Sequence, residues 1–197
     1  MMNMETISGN IIFNFLSEWH CSSGLTGTSE IDLTVIKDDD DFPYIPGRTV
    51  KGLLKDFANT VYEASRDEKY AKFIKNIFGE EGDNAGKIHF SDAIIPYELK
   101  KSINKLENKN KDNVRYIYTR RTFTKINEHS GVAEDKSLRS IEFAIPLILI
   151  SEWRSIKEIS DEEMDILKLC AKGIKRLGLN RNRGFGRCKC ICVENKK

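Results

Sequence analysis

The order of hydrophobic segments predicts an α+β chain of the ferredoxin-like type, in which strand, helix, strand, strand, helix and strand build one sheet with both helices on one face. Three observations carry this. Two segments place apolar residues at helical spacing: Val50, Leu53, Leu54, Phe57, Ala58 and Val61 in the first, and Met164, Leu167, Cys170, Ala171, Ile174 and Leu177 in the second. Short apolar runs bounded by turn residues flank both. The chain of 197 residues, 40% hydrophobic, can bury one proper core, so residues 1–197 are read as a single domain carrying an inserted arm.

Taken in order, Ile11 to Leu16 reads as a buried strand between Gly9-Asn10 and Ser17-Glu18. Trp19 to Asp41 is rich in Ser, Gly and Thr, holds one short strand at Ile31, Leu33 and Val35, and ends in four aspartates. Pro43 and Pro46 then bracket Tyr44 and Ile45, each fixing its own φ and pushing the preceding residue toward an extended conformation. The first helix follows, with Thr49 where an N-cap belongs, and runs to about Ala64. A second helix covers Asp67 to Phe78, a polar turn Gly79 to Gly86, and a strand Lys87 to Asp92. Ile141 to Ile150 is the strongest strand signal. Ser160 and Glu163 have capping-box spacing and open the last helix, which Gly178 ends. A glycine-rich basic loop, Asn180 to Arg187, leads into the last strand, Cys188 to Val193.

The inserted arm occupies about 98–140. Lys100 to Asp112 is rich in Lys and Asn and reads as a mobile loop or an exposed helix, and Tyr116, Tyr118, Thr122, Thr124 and Ile126 alternate as in a hairpin. Residues 100–140 carry 11 basic and 5 acidic residues. Basic and poor in apolar anchors, the arm is expected to project from the core.

Net charge is +2, but its distribution is polar: residues 1–47 sum to −7 and residues 168–197 to +9. Such a chain can bind an anion along one edge or stack on copies of itself. No apolar run approaches a membrane span and the start lacks a signal-peptide pattern, so the cytoplasm is expected. Cysteines number five, which argues against a disulfide framework; Cys188, Cys190 and Cys192 alternate on a strand and are expected to be buried small residues rather than metal ligands.

Chemistry concentrates in three places. At Phe42–Phe57 a rigid turn, exposed helix-start N–H groups, Arg48 and Lys51 make an anion site, for which phosphate is the obvious ligand. In Leu177–Arg187, Gly184 and Gly186 permit close backbone approach, Arg181, Arg183 and Arg187 can fork onto phosphates, and Phe185 can stack on a base. Asp32 is the acidic candidate, placed in a flexible loop near the proposed phosphate site, where a carboxylate could hold a divalent metal or polarise a ribose 2′-hydroxyl. The run Asp38–Asp41 reads as a solvated turn. Of the imidazoles His20, His89 and His129, His20 is the one a histidine-driven ribonuclease would use. No Ser-His-Asp order, phosphate-binding Walker loop or zinc signature is present.

Four sets of residues together resemble one family. Trp19-His20-Cys-Ser-Ser-Gly24 with Glu30-Ile31-Asp32, Lys37-Asp38 and Pro43-Tyr-Ile-Pro-Gly47-Arg-Thr49-Val-Lys-Gly52 is one; Ile77-Phe78-Gly79 with Gly86-Lys-Ile-His-Phe-Ser-Asp-Ala93 is the second. Arg121-Thr122 through Gly131-Val-Ala133 with Ser137-Leu138-Arg139 and Glu142 is the third, and Leu177-Gly178 through Arg183-Gly-Phe-Gly-Arg187 the fourth. In this order they resemble the RAMP (repeat-associated mysterious protein) superfamily, and within it the backbone subunits of type III CRISPR effector complexes. The resemblance covers most of the chain. It implies an RNA-recognition-motif-type ferredoxin-like fold with an inserted thumb hairpin, stacking along a guide RNA, contact with complementary target RNA and other effector subunits, and no membrane partner. It further implies metal-dependent target cleavage, with Mg²⁺, through an aspartate matching Asp32. Arg48, Thr49 and Lys51 would hold guide backbone, Arg121, Lys125 and Arg139 would serve the thumb, and the 181–187 loop would contact guide phosphates, with Trp19 and His20 as further RNA contacts. A purely architectural RNA-binding subunit and a guide-processing ribonuclease using His20 are the alternatives. This chain departs from the family pattern in the bulky Arg48 and in the aspartates that precede Pro43.

Overall fold

A computed structural model of the chain describes residues 7–26, 31–80, 85–105, 111–127, 131–134 and 137–195. Glu30, His129 and parts of the predicted 79–86 turn and 100–112 segment lie outside the described residues. The first sheet contains β1 (Ser8–Phe15), β4 (Ile88–Phe90), β7 (Ile148–Ser155) and β8 (Cys188–Glu194) in the spatial order β4-β7-β1-β8, every pair antiparallel. This is the ferredoxin-like order, with α1 (Gly47–Ser65) and α4 (Asp161–Gly173) as the two connecting helices. Alternation sorts the strands. Ile11, Phe13 and Phe15 of β1, Leu149 and Trp153 of β7, and Cys188, Cys190 and Cys192 of β8 are buried against Val50, Leu54, Ala58, Leu167, Cys170 and Ala171 of the helices. The cysteines are therefore the small buried residues that their alternation indicates. Burial pushes the thiols of Cys21 and Cys188 up to about 11 and those of Cys170 and Cys192 up to about 12.

A second sheet, in the order β2-β3-β6-β5, stands beside the first. It joins β2 (Ser22–Thr26) and β3 (Leu33–Val35) from the segment expected to be mostly loop with β5 (Tyr118–Phe123) of the inserted arm and β6 (Arg139–Ala144), which begins at the arm's end. The run Ile141–Ile150 is thus two strands. Ile145-Pro146-Leu147 lets the chain leave one sheet for the other, since Pro146 has no N–H to give a ladder. The arm also packs more than expected: Ile103 in α3 (Tyr97–Lys105), Val114 and Ile117 belong to the main core.

The helix ends differ in detail. α1 begins at Gly47 after Pro46, so Thr49 is inside the helix and caps nothing; no side chain of its own turn serves as cap. The Gly47 N–H instead donates to Asp92 Oδ1 at 2.7 Å. The predicted second helix is α2 (Glu68–Phe73) continued by a π turn, Ile74–Phe78. At α4 the Ser160–Glu163 capping box is complete, and the helix ends at Gly173, where Phe57 packs so closely that no Cβ would fit. Ile174 and Leu177 stay buried beyond it.

Candidate nucleic-acid interface

The glycine-rich loop is held by backbone conformations that few residues adopt. Gly178, Gly184 and Gly186 have φ of 94°, 91° and 67°, and Asn180 is left-handed at 58°. A Cβ on Gly178 would lie 2.1 Å from the His20 carbonyl oxygen, and one on Gly186 1.8 Å from that of Leu177. The loop closes through Leu177 N–H to Gly186 O (2.9 Å) and docks on the end of β1 through Gly186 N–H to Glu18 O (2.7 Å) and Arg187 N–H to Ser17 Oγ (2.9 Å). Between these anchors a single 3₁₀ turn, Arg181–Arg183, presents its arginines. Arg181, Arg183 and Arg187 are exposed, and none pairs with a described carboxylate. Gly184 has open space where a Cβ would be.

Phe185 has a structural task that its position between glycines does not reveal. Its ring stacks on the buried Phe143 of β6, with centroids 4.3 Å apart, and meets Phe123 of β5 edge-on at 5.9 Å. This seats the loop on the second sheet. Arg183 lies over the Phe123 ring at 5.9 Å. A cavity of about 470 Å³ opens there, lined by Phe123, Thr124, Lys125, Glu134, Ser137, Arg139 and Arg183. Three of the expected RNA-binding residues, Lys125, Arg139 and Arg183, therefore share one site. Lys125 is paired with Glu134 at 3.0 Å, whereas Arg139 and Arg183 make no ion pair among the described residues. Arg121 lies near by but is engaged: its guanidinium forks onto Glu18 at 2.9 and 2.7 Å, which holds the Glu18 carboxyl below its ordinary pKa.

Arg48 and Lys51 form a separate basic place at the start of α1. Arg48 is exposed and lines a second cavity, about 530 Å³, with Tyr44, Gly47, His89 and Asp92. Because Asp92 already takes the first amide of α1, the helix start is not the open amide cradle that the turn suggests. An anion at this place would rest on the Arg48 and Lys51 side chains, with Thr49 half-buried between them.

Asp32 is exposed, and fixed rather than flexible. Its N–H donates to Ser140 O at 2.9 Å and its Oδ2 accepts from Ser140 N–H at 2.7 Å, which pins it at the start of β3 against β6. Ser140 Oγ in turn accepts from Arg120 Nε. Asp32 thus belongs to the second sheet. Lys37, two residues beyond β3 and next to the proline turn, is roughly 15 Å away at strand spacing. Lys37 is taken up by Glu142 at 3.0 Å and covers the Tyr118 ring at 4.1 Å. Asp38 caps its own turn by accepting from Asp40 and Phe42 N–H and pairs with Lys100.

Trp19 and His20 do not reach the surface. Both are fully buried. Trp19 stacks on Phe15 at 4.4 Å and donates its Nε1–H to Ile145 O at 3.0 Å. His20 Nδ1 donates to Glu142 O at 2.6 Å, and burial pushes its imidazole below its ordinary pKa. Their side chains organise the junction of the two sheets and cannot touch RNA from there.

The family model described as the RAMP superfamily matches residues 12–189. The chain belongs to the RAMP superfamily. Among solved structures, this RAMP chain is similar to a chain of the type III-B Cmr-beta complex bound to cognate target RNA, at 17% identity and TM-score 0.70 over 94% of this chain and 96% of that one. It is also similar to a chain of the apo state of type III-B Cmr-beta, at 18% identity and TM-score 0.66 over 94% and 97%. These likenesses confirm the α+β fold. No curated protein matches the sequence. No helix of the described residues is long and apolar enough to cross a membrane.

Proposed function

We propose that this RAMP chain is an RNA-binding backbone subunit of a type III CRISPR effector complex, which lies along a guide RNA beside neighbouring subunits and cuts the bound target RNA through Asp32. The observation that carries the RNA-binding half is the set of exposed arginines 139, 181, 183 and 187 around the seam of the glycine-rich loop and the second sheet, with no described carboxylate to neutralise them. That the similar complex carries target RNA supports the same reading. Asp32 suits a catalytic role because one carboxylate oxygen is fixed by Ser140 and the residue stays exposed on the arm's sheet. The reading with a histidine ribonuclease loses its support, since His20 is enclosed.

The described residues include no cluster of three metal-binding side chains. Asp32 fits Mg²⁺ only in the mode in which one carboxylate shares the ion with RNA phosphates and water. There the ion would neutralise charge on the phosphate undergoing cleavage, while Asp32 positions it. The test is the assembled complex with Asp32→Ala. It should bind guide and target as before and lose target cleavage by a factor of about 100 or more. Undiminished cleavage would leave the chain as an architectural RNA-binding subunit.

A further inference from the structure

His20 stands where the second sheet meets the glycine-rich loop. Its neighbours in sequence belong to the sheet: Trp19 and Ala144 exchange N–H to O bonds of 2.9 and 2.8 Å, and Cys21 O accepts from Ile36 N–H at 2.9 Å. The His20 carbonyl turns the other way and accepts from Leu179 N–H at 3.0 Å, with Gly178 packed against it. The His20 ring meets Phe143 edge-on at 5.7 Å, and Phe143 carries the stacked Phe185. The loop therefore rests on His20 directly through the carbonyl and indirectly through the aromatic stack. The imidazole itself suits one protonation state. Nδ1 donates to Glu142 O at 2.6 Å, while Nε2 is buried and has no hydrogen-bond partner among the described residues. A second proton would make both nitrogens donors and bury a charge whose new N–H has no acceptor. The groups around the seam supply none. Glu142 of β6 accepts from Val35 N–H at Oε2 and from Lys37 at Oε1, each at 3.0 Å. Glu18, beyond β1, is taken by Arg121 of β5, and Tyr118 of β5 lies under Lys37. Arg181 and Arg183 on the loop side are cations, and Cys21 is a buried thiol.

We propose that His20 is an acid-sensitive latch for the basic edge: neutral, it seats the glycine-rich loop on the second sheet, and protonated, it releases the loop and weakens the hold on RNA. The RNA half of this rests on the RNA-binding reading above. Burial disfavours the charged ring and outweighs the Glu142 carbonyl and carboxylate, which favour it, so the seated imidazole stays neutral to below its ordinary value. Once the loop is released, water reaches the ring and restores the ordinary value of about 6.5. The proton thus binds the released state better than the seated one. Above about pH 6.5 the seated state keeps its full advantage, and below it that advantage falls about tenfold per pH unit until the folded value is reached.

The experiment compares the full chain with His20→Asn, whose side-chain amide can still donate to Glu142 O but does not titrate. Native-state hydrogen exchange follows the loop amides of Leu177, Leu179 and Gly186 against those of Ile11 and Phe13 in β1. In the parent, loop protection relative to β1 should fall about tenfold from pH 6.5 to 5.5; in His20→Asn the ratio should stay flat. In filter binding of single-stranded RNA at constant salt, the two chains should match at pH 7.5, and the parent should lose about tenfold relative to the variant by pH 5. Loop protection that tracks β1 in the parent, the same loss in His20→Asn, or matching pH profiles of RNA affinity would overturn the latch. If the variant does not fold, the loop-to-β1 ratio in the parent decides alone. No RNA binding by the parent at pH 7.5 would overturn the RNA-binding reading, on which the exchange measurement does not depend.

Discussion

Gly186 shows how a single atom decides the basic loop. With φ of 67° and the Leu177 carbonyl 1.8 Å from where a Cβ would be, an alanine must both strain its backbone and push the loop off β1. Gly186→Ala should therefore destabilise the chain by about 2 kcal/mol or more in urea unfolding, whereas Gly184→Ala, with open space, should cost about 1 kcal/mol from its positive φ. Glu163 is a second decisive residue, 7% exposed. Burial pulls its pKa up, but Lys87, the Ser160 N–H and Asn76 together outweigh that and leave it below the ordinary value. A carboxyl with a depressed folded pKa adds stability that is complete above its unfolded value, about 4.3, and is lost as pH falls through the folded value. Glu163→Gln should cost roughly 1–3 kcal/mol at neutral pH, and thermal melts should show the difference from the parent shrinking below about pH 4.

Among the elements, those set by periodicity were legible and those set by partner choice were not. The faces of α1 and α4, the Ser160 capping box and the alternating cysteines of β8 follow from spacing alone. As β8 turns its thiols into the core and burial raises their pKa, the cysteines should resist a thiol-disulfide reagent at pH 8 in the native chain and react fully in denaturant. Prompt native labelling would mean that β8 does not pack as described. The second sheet was hidden because β2 is short and mostly polar, and because the short strand β3 takes its other partner, β6, from more than 100 residues further on. Ile141–Ile150 looked continuous because both of its strands are apolar, although Pro146 marks the break. The start of α1 read as an open anion site because nothing local shows that Asp92, 45 residues on, takes its first amide. Arg121 was legible as a basic residue but not as the partner of Glu18. Its engagement predicts that Arg121→Ala weakens RNA binding less than Arg183→Ala does in the same filter-binding assay.

At the scale of the whole molecule, the ferredoxin-like sheet is the platform, and the second sheet with the glycine-rich loop forms a basic edge. The stack of Phe185 on Phe143 joins the loop to the second sheet, so the basic C-terminal loop and the arm's cations lie side by side, although far apart in sequence. The sequence shows both patches and their charge; it does not show that one aromatic stack seats them side by side. The central claim is that this edge holds RNA through Arg181 and Arg183, and the salt dependence of binding tests it most directly. With single-stranded RNA titrated from low to moderate salt, the Arg181→Ala/Arg183→Ala double variant should bind more weakly and lose about 1.4 from the slope of log affinity against log salt. An unchanged slope and affinity would place the RNA on another surface and contradict the account.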